Sequence, residues 1–479
     1  MMNTFMGNFG HLTTLVAFVS ALVTAFAYSQ YFKANELEKD SWRRFSRVSF
    51  YIHALSTSLI AVSLFEIIYN QRYEYFYAYS HSAKALPVHY MISSFWEGQE
   101  GAFILWAFWN VVLGLILVHT NKFWEAPVMV VFSLVQAFLV SMILGVVVGD
   151  LKIGSSPFIL LRDATQAPIF DLNPDFVPED GTGLNPLLQN IWMVIHPPTL
   201  FLGYASTLVP FAFLIGGLVT KKYAEWIRPA LPWAIFSAMI LGMGIIMGAY
   251  WAYVTLNFGG YWNWDPVENA SLVPWLVLVA GIHTTMIFRK TGSSVKASYL
   301  FMGLSFLLVI YSTFLTRSGI LGDTSVHAFT DLGMNAQLLV FLLIFVIPFF
   351  ILYFIRFRFM VEPTKEDDIS SREFWMLVGS LVLVLSASVI IAITSIPVFN
   401  KIFGTNIAPP EDPEFAHNQV QVFVAIIIGS LSAFGQYLRF KHTPIEQIKK
   451  QLLLPSIVTI VISAVLFVFV GVGSTQKGP

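Results

Sequence analysis

The sequence contains no cysteine. This excludes disulfides, thiolate metal sites and a cysteine nucleophile, so redox chemistry must rest on a bound cofactor or a partner's thiols, and metal ligation falls to the ten histidines. Charge is scarce as well. Only 11% of the 479 residues are charged, against about 25% in an ordinary soluble domain. The formal net charge is −1, and without a basic surplus to neutralise phosphates no nucleic-acid partner is expected. The first apolar run, Leu12 to Tyr28, has neither a basic region before it nor a small-residue cleavage site after it. It is expected to be a retained helix, with Met1 as the mature N-terminus.

What the chain has in abundance is apolar sequence, 56% of its residues. It falls into runs of about 20 residues, each long enough at about 1.5 Å per residue to cross roughly 30 Å of hydrocarbon. The expected fold is all-α, a polytopic transmembrane helical bundle of about 12 spans. These spans lie near 9–29, 48–69, 100–119, 127–148, 197–219, 232–253, 272–288, 297–316, 335–355, 374–396, 419–438 and 452–472. One set of alternate loops then holds twenty of the 27 Lys and Arg residues. The other set holds only Arg72, Lys84, Lys152, Arg162, Arg317, Lys401 and Lys477. Because cytoplasmic loops are the basic ones, the first set is assigned to the cytoplasm and both termini to the non-cytoplasmic side. Residues 1–479 read as a single transmembrane domain. Its outside loops are the longer and chemically richer ones, and 150–196 and 255–275 are the segments where function is expected.

Between the sixth and seventh spans the chain reads FGGYWNWDPVENASLVPW, from Phe258 to Trp275. Gly259 and Gly260 break the helix, and Tyr261, Trp262 and Trp264 place three large aromatics within four residues. Composition alone fits an interfacial aromatic belt. The crowding of rings into one loop, with Trp275 and Tyr250-Trp251 bracketing it and Asp265 and Glu268 among them, fits a platform for a large planar ligand. Asp265-Pro266 also reads as a helix start, with Asp as N-cap, Pro first and Glu268 third, which gives the carboxylates a structural role too.

Two histidines fall on the same face as this loop: His196, opening the fifth span in NIWMVIHPPTLFLGY, and His327, just after the eighth. Each alone is accounted for as a capping or interfacial histidine. Together, beside an aromatic platform, they read as a bis-His or switchable haem site, since neutral imidazole is a usual axial ligand of haem iron. Arg317 fits either a haem propionate contact or a headgroup anchor. His283 lies about 9 Å inside the seventh span, and an ionisable group at that depth is a functional candidate. His53 lies at a similar depth in the second span, either as a partner for a buried haem or as an interhelical hydrogen-bonding group. For His11, His81, His89, His119, His417 and His442, solvated or interfacial roles suffice.

At these residues the chain resembles the CcmF/CcsA family of cytochrome c-type haem lyases, and within it the CcmF branch. The hallmark of that family is a tryptophan-rich WWD loop, here with Tyr261 where another Trp often stands. PVHYMISSFWEGQEGAFILW at 87–106, LNPLLQNIWMVIHPPTLFLGY at 184–204, and FLTRSGI with SVHAF at 314–329 are similar to the same family in the same order. The resemblance implies cytochrome c biogenesis in a bacterial inner membrane. Haem would be bound on the periplasmic side and presented to apocytochrome c, with a haem chaperone and other maturation components as partners. It implies axial ligands at His196 and His327 and a transmembrane b-type haem with one ligand at His283, reduced by quinol. The usual second ligand belongs to a later helix, in a region expected to lie beyond Pro479, with a ligand from another subunit or a substitute such as His53 as the alternatives. A haem transporter and a quinol-oxidising b-type redox protein are the alternative functions.

Overall fold

The computed structural model describes residues 4–255, 260–322, 333–363 and 368–475. Long apolar helices dominate it: α1 (Phe5–Lys33), α2 (Lys39–Tyr69), short α3 (Phe76–His81) and α4 (Val88–Glu97), then α5 (Gln99–Thr120) and α6 (Glu125–Ser141). A two-stranded hairpin follows, β1 (Val146–Val148) and β2 (Leu151–Ile153), and then the one-turn helices α7 (Leu161–Ala164) and α8 (Ile169–Leu172). The remaining helices are α9 (Ile191–Thr220), α10 (Ile227–Val254), α11 (Pro266–Thr291), α12 (Val295–Arg317), α13 (Asn335–Phe357), α14 (Arg372–Thr394), α15 (Ile396–Phe403), α16 (Pro413–Gly435) and α17 (Ile445–Thr475). Eleven of the described helices are long and apolar enough to cross a membrane, and α6 is a shorter apolar helix between them. The polytopic all-α bundle and its count of about 12 spans are thus what the chain forms.

The fourth span departs from expectation. Its apolar run was expected to be helical to 148, yet the helix stops at Ser141 and Val146–Val148 pairs antiparallel with Leu151–Ile153. A β-branched run followed by Gly149-Asp150 suits a two-residue hairpin turn, and Gly149 sits at φ +61° as such a turn requires.

Helix starts follow the sequence chemistry. Asn190, Asp265, Ser371 and Asp412 each accept a backbone N–H of the following helix through the side chain. Proline inside a membrane helix strands the carbonyl four residues back, and at two of these prolines a side chain of another helix takes up that carbonyl. Pro197 frees Met193 O, which accepts Trp96 Nε1–H at 3.0 Å. Pro274 frees Ala270 O, which accepts Ser312 Oγ–H at 2.5 Å.

The main core gathers side chains of α1, α2, α5, α6, α9, α12 and α13, with Phe103, Trp106, Phe132, Phe211, Phe306 and Phe341 fully buried. A second core joins α11, α12 and α14 around Val273, Val277, Phe301 and Ile390. The α9–α10 pair approaches closely, because a Cβ at Gly203 would stand 2.7 Å from Leu241 Cα and one at Gly244 2.9 Å from Leu200 Cα. At the end of the bundle away from the Trp-rich loop, buried Glu125 takes two 2.7 Å hydrogen bonds from Arg47, with Arg43 at 3.5 Å and Tyr28 Oη at 3.2 Å. Over Ile445–Phe469 α17 has no buried residue, and α16 buries only His417 and Gln421.

Candidate functional site

The Trp-rich loop runs from the end of α10 into α11. At its exit the expected capping box is present: the Asp265 carboxylate accepts Val267 N–H at 2.8 Å, and Glu268 Oε2 accepts the N–H groups of Asn263 and Asp265 at 3.0 and 3.1 Å. Both carboxylates therefore brace the loop from within.

Trp264 occupies the left-handed region at φ +56°. For a bulky residue this costs about 1–3 kcal/mol, so neighbouring groups must hold it there. Three do so directly. Its carbonyl accepts Asn269 Nδ2–H at 2.9 Å, its Nε1–H donates to Asn418 Oδ1 at 2.9 Å, and its ring stacks on His417 with centroids 4.9 Å apart and planes 17° off parallel. Trp262 stands edge-on to Trp264 at 5.9 Å and 88°. The Trp262 Nε1–H is buried and has no hydrogen-bond partner among the described residues. Tyr261 is half exposed, and Trp275 donates Nε1–H to Ala238 O of α10 at 2.8 Å.

His196 lies inside α9 and not at its start, since the helix begins at Ile191 under the Asn190 cap and runs through Pro197 and Pro198. Its Nδ1 contacts Gly244 O at 2.8 Å. A carbonyl only accepts, so Nδ1 carries the proton and Nε2 of the neutral ring keeps its lone pair. The ring stacks on Trp251 at 6.3 Å and 27°, one turn before α10 ends at the loop. It also lies over Gly248, where a Cβ would come 2.7 Å from His196 Cε1. His327 lies outside the described residues.

Arg317, at the end of α12, is 7% exposed. Its guanidinium centre lies 5.1 Å from the Phe103 ring and 5.7 Å from that of Phe201, five residues along α9 from His196. Such burial rules out headgroup anchoring, which needs an exposed cation. Nearby, outside the spans, burial pushes the Glu97 carboxyl at the end of α4 up to about 8.

His283 donates from Nδ1 to Val279 O at 2.8 Å, which leaves its Nε2 lone pair available in the same way. It lines a cavity of about 870 Å³ between α11, α14 and α16, walled by Trp264, Trp275, Leu276, Met286 and Leu383 among others. The cavity extends from Trp264 to Arg372, at the end of α14 opposite the loop. His53 is held elsewhere, by Ala17 O at 2.9 Å and Gln136 Nε2 at 2.9 Å, with both ring nitrogens engaged. It is an interhelical hydrogen-bonding group of α1, α2 and α6 and does not line the cavity beside His283.

Sequence reasoning missed His417 and Asn418. His417 was placed among the solvated or interfacial histidines, whereas it is 2% exposed. The available signal was the Asp412-Pro413 helix start, which puts both residues in the first turns of a span on the loop's own face.

A cytochrome c assembly protein family model matches residues 96–321. Over 379 residues the chain is 35% identical to the cytochrome c-type biogenesis protein CcmF of Pseudomonas fluorescens, covering 77% of this chain and 53% of that one. Over 396 residues it is 31% identical to CcmF of Escherichia coli, covering 81% and 57%. The chain is thus similar to CcmF-like cytochrome c assembly proteins. A solved structure of cytochrome c heme lyase CcmF shares the fold with a TM-score of 0.68 at 22% identity, over 93% of this chain and 63% of that one. The CcmF-like chain spans about half the length of the curated relatives it matches. The family match takes in His196, the Trp-rich loop, His283 and Arg317.

Proposed function

We propose that this CcmF-like chain acts in cytochrome c biogenesis as a haem lyase component, binding haem at the Trp-rich loop and presenting it to apocytochrome c. One observation carries the reading. His196 is locked by Gly244 O in the tautomer that leaves Nε2 free for iron, on the helix pair that leads into the loop. The loop suits a planar ligand with carboxylates: Trp262 and Trp264 give aromatic surface, and the buried Trp262 Nε1–H offers a donor to a propionate. His327 is the second axial ligand in this reading, Tyr261 and Trp275 border the platform, and Arg317 is the propionate contact. The loop then faces the periplasm and the helices cross a bacterial cytoplasmic membrane.

Haem is the cargo, and the bonds form on it and on the partner. Each thiol of the apocytochrome adds across a haem vinyl group, sulfur to one carbon and hydrogen to the other, without net electron transfer. The work of this chain is to orient the iron and exclude competing ligands. His283 and the cavity beside it fit a second, b-type haem, supplied with electrons by quinol, that would keep the presented iron reduced. A haem chaperone and other maturation components complete the partners. Alanine at both His196 and His327 is expected to abolish cytochrome c maturation in cells, and normal maturation in the double variant would overturn the assignment. The length of the cavity favours one second reading, haem transport along the helices. Haem still trapped in the cavity of a His196→Ala, His327→Ala, His283→Ala chain, which also lacks the proposed b-haem ligand, would support transport, and an empty cavity there presentation.

A further inference from the structure

The last helices barely touch the rest of the fold, and their few contacts are informative. On α16 the two buried residues are His417 and Gln421, one turn apart on a single face. An apolar helix whose buried residues are its polar ones is anchored by those residues. Gln421 Oε1 accepts Ser386 Oγ–H of α14 at 2.6 Å. His417 makes no such bond to the described residues through its Nδ1. Its contact is the flat stack on Trp264, while the next residue, Asn418, accepts the Nε1–H of the same indole.

We infer that His417 and Asn418 are positioning residues which clamp Trp264, one by the face of its ring and the other by its N–H, and so fix the wall between the Trp-rich loop and the membrane cavity. Trp264 has a backbone conformation that its own side chain disfavours, so it holds this pose only while something outside the loop grips it. Asn269, from α11, fixes its carbonyl but leaves the ring free to turn. The same indole lines the cavity that contains His283. The grip therefore sets where the loop ends and the cavity begins. His417 covers one face of Trp264 with its ring nearly parallel to the indole, and so supports the wall.

The clamp is read without haem, and only its functional consequence rests on the proposed platform. Because the chain has no native cysteine, Tyr261→Cys gives one attachment point for a nitroxide on the loop, at a half-exposed position. In the full chain the label is expected to be immobilised. Adding His417→Leu or Asn418→Leu should sharpen its spectrum, and in the unlabelled chain with Tyr261 intact the same substitutions should lower haem retention at least fivefold. His417→Phe keeps a ring to stack and Asn418→Asp keeps the acceptor, and both should stay immobilised and retain haem. Immobilised spectra in both leucine variants would overturn the clamp, as would sharpened spectra in all four variants, because mobility would then not follow the stacking and acceptor chemistry. Trp264→Leu, carried in parallel, separates the two readings. Undiminished haem there counts against the platform, while lost haem there with undiminished haem in His417→Leu and Asn418→Leu counts against the clamp alone.

Discussion

Gly248 is the sharpest lever on the site, because it separates the stability of the fold from the geometry of His196. Gly248→Ala places a methyl group inside α10, six residues before its end, where helix propensity alone favours alanine by about 1 kcal/mol. The methyl would lie 2.7 Å from His196 Cε1, against 3.4–4 Å for ordinary contact. Something must shift, and the ring is the movable part. Moving it breaks or bends the 2.8 Å bond to Gly244 O, worth about 0.5–1.5 kcal/mol. It also disturbs the stack on Trp251, worth a further 0.5–1.5 kcal/mol or so. Together these put roughly 1–3 kcal/mol on the site, or about a 5- to 150-fold loss of haem affinity. The helix gain offsets about 1 kcal/mol of that loss in the fold, so the melting temperature in detergent should change little or fall slightly. Haem titration and thermal melting of the purified variant test both halves. Gly429→Ala on α16 is the control, since nothing lies within 4 Å of its Cβ, and it should leave haem affinity alone. The His196→Ala, Gly248→Ala double variant should bind no more weakly than His196→Ala, because both act through one ring. Native haem affinity in Gly248→Ala would refute the reasoning, and so would an equal loss in Gly429→Ala.

Trp96→Phe removes the donor that satisfies Met193 O above Pro197. It should cost about 1–3 kcal/mol in thermal or denaturant unfolding, the penalty of an unpaired buried carbonyl, and should weaken haem binding because the freed turn precedes His196. Glu125→Ala leaves Arg47 and Arg43 without their buried carboxylate and should destabilise by about 3–5 kcal/mol, read as an early melt with little effect on the haem affinity of chains still folded. Glu97 is protonated in the folded chain up to about pH 8, whereas its ordinary value is 4.5. The folded state thus binds the extra proton between those pH values, and stability should fall as pH rises through that window. Glu97→Gln should flatten that part of the melting-temperature profile, and an unchanged slope would contradict the burial argument.

Much of the fold was legible because hydrocarbon leaves the backbone few choices. A run of about 20 apolar residues must satisfy its own hydrogen bonds, so composition and length gave away nearly every span. Asp265-Pro266-Val267-Glu268 was equally readable, since a capping box is local chemistry. Reading failed where a local signal competed with the apolar one. Val146–Val148 is apolar enough for a span, but its β-branching and the Gly149-Asp150 turn make it a strand. Pro197-Pro198 looked like a helix start, yet α9 begins six residues earlier, because Trp96 from a distant segment supplies the hydrogen bond that proline removes.

The sequence by itself determined the membrane class, the number of spans, the Trp-rich loop and the candidate ligands His196 and His283, because periodicity, length and residue chemistry are properties of neighbours along the chain. Only the tertiary structure decided how those two histidines are held. It gave His196 its tautomer through Gly244 and engaged both nitrogens of His53. It also buried Arg317 between the rings of Phe103 and Phe201, and brought His417 and Asn418 onto Trp264 across more than 150 residues of sequence. The physical reason is the same in each case: a hydrogen bond or a ring stack depends on distance in space, which a linear pattern does not carry.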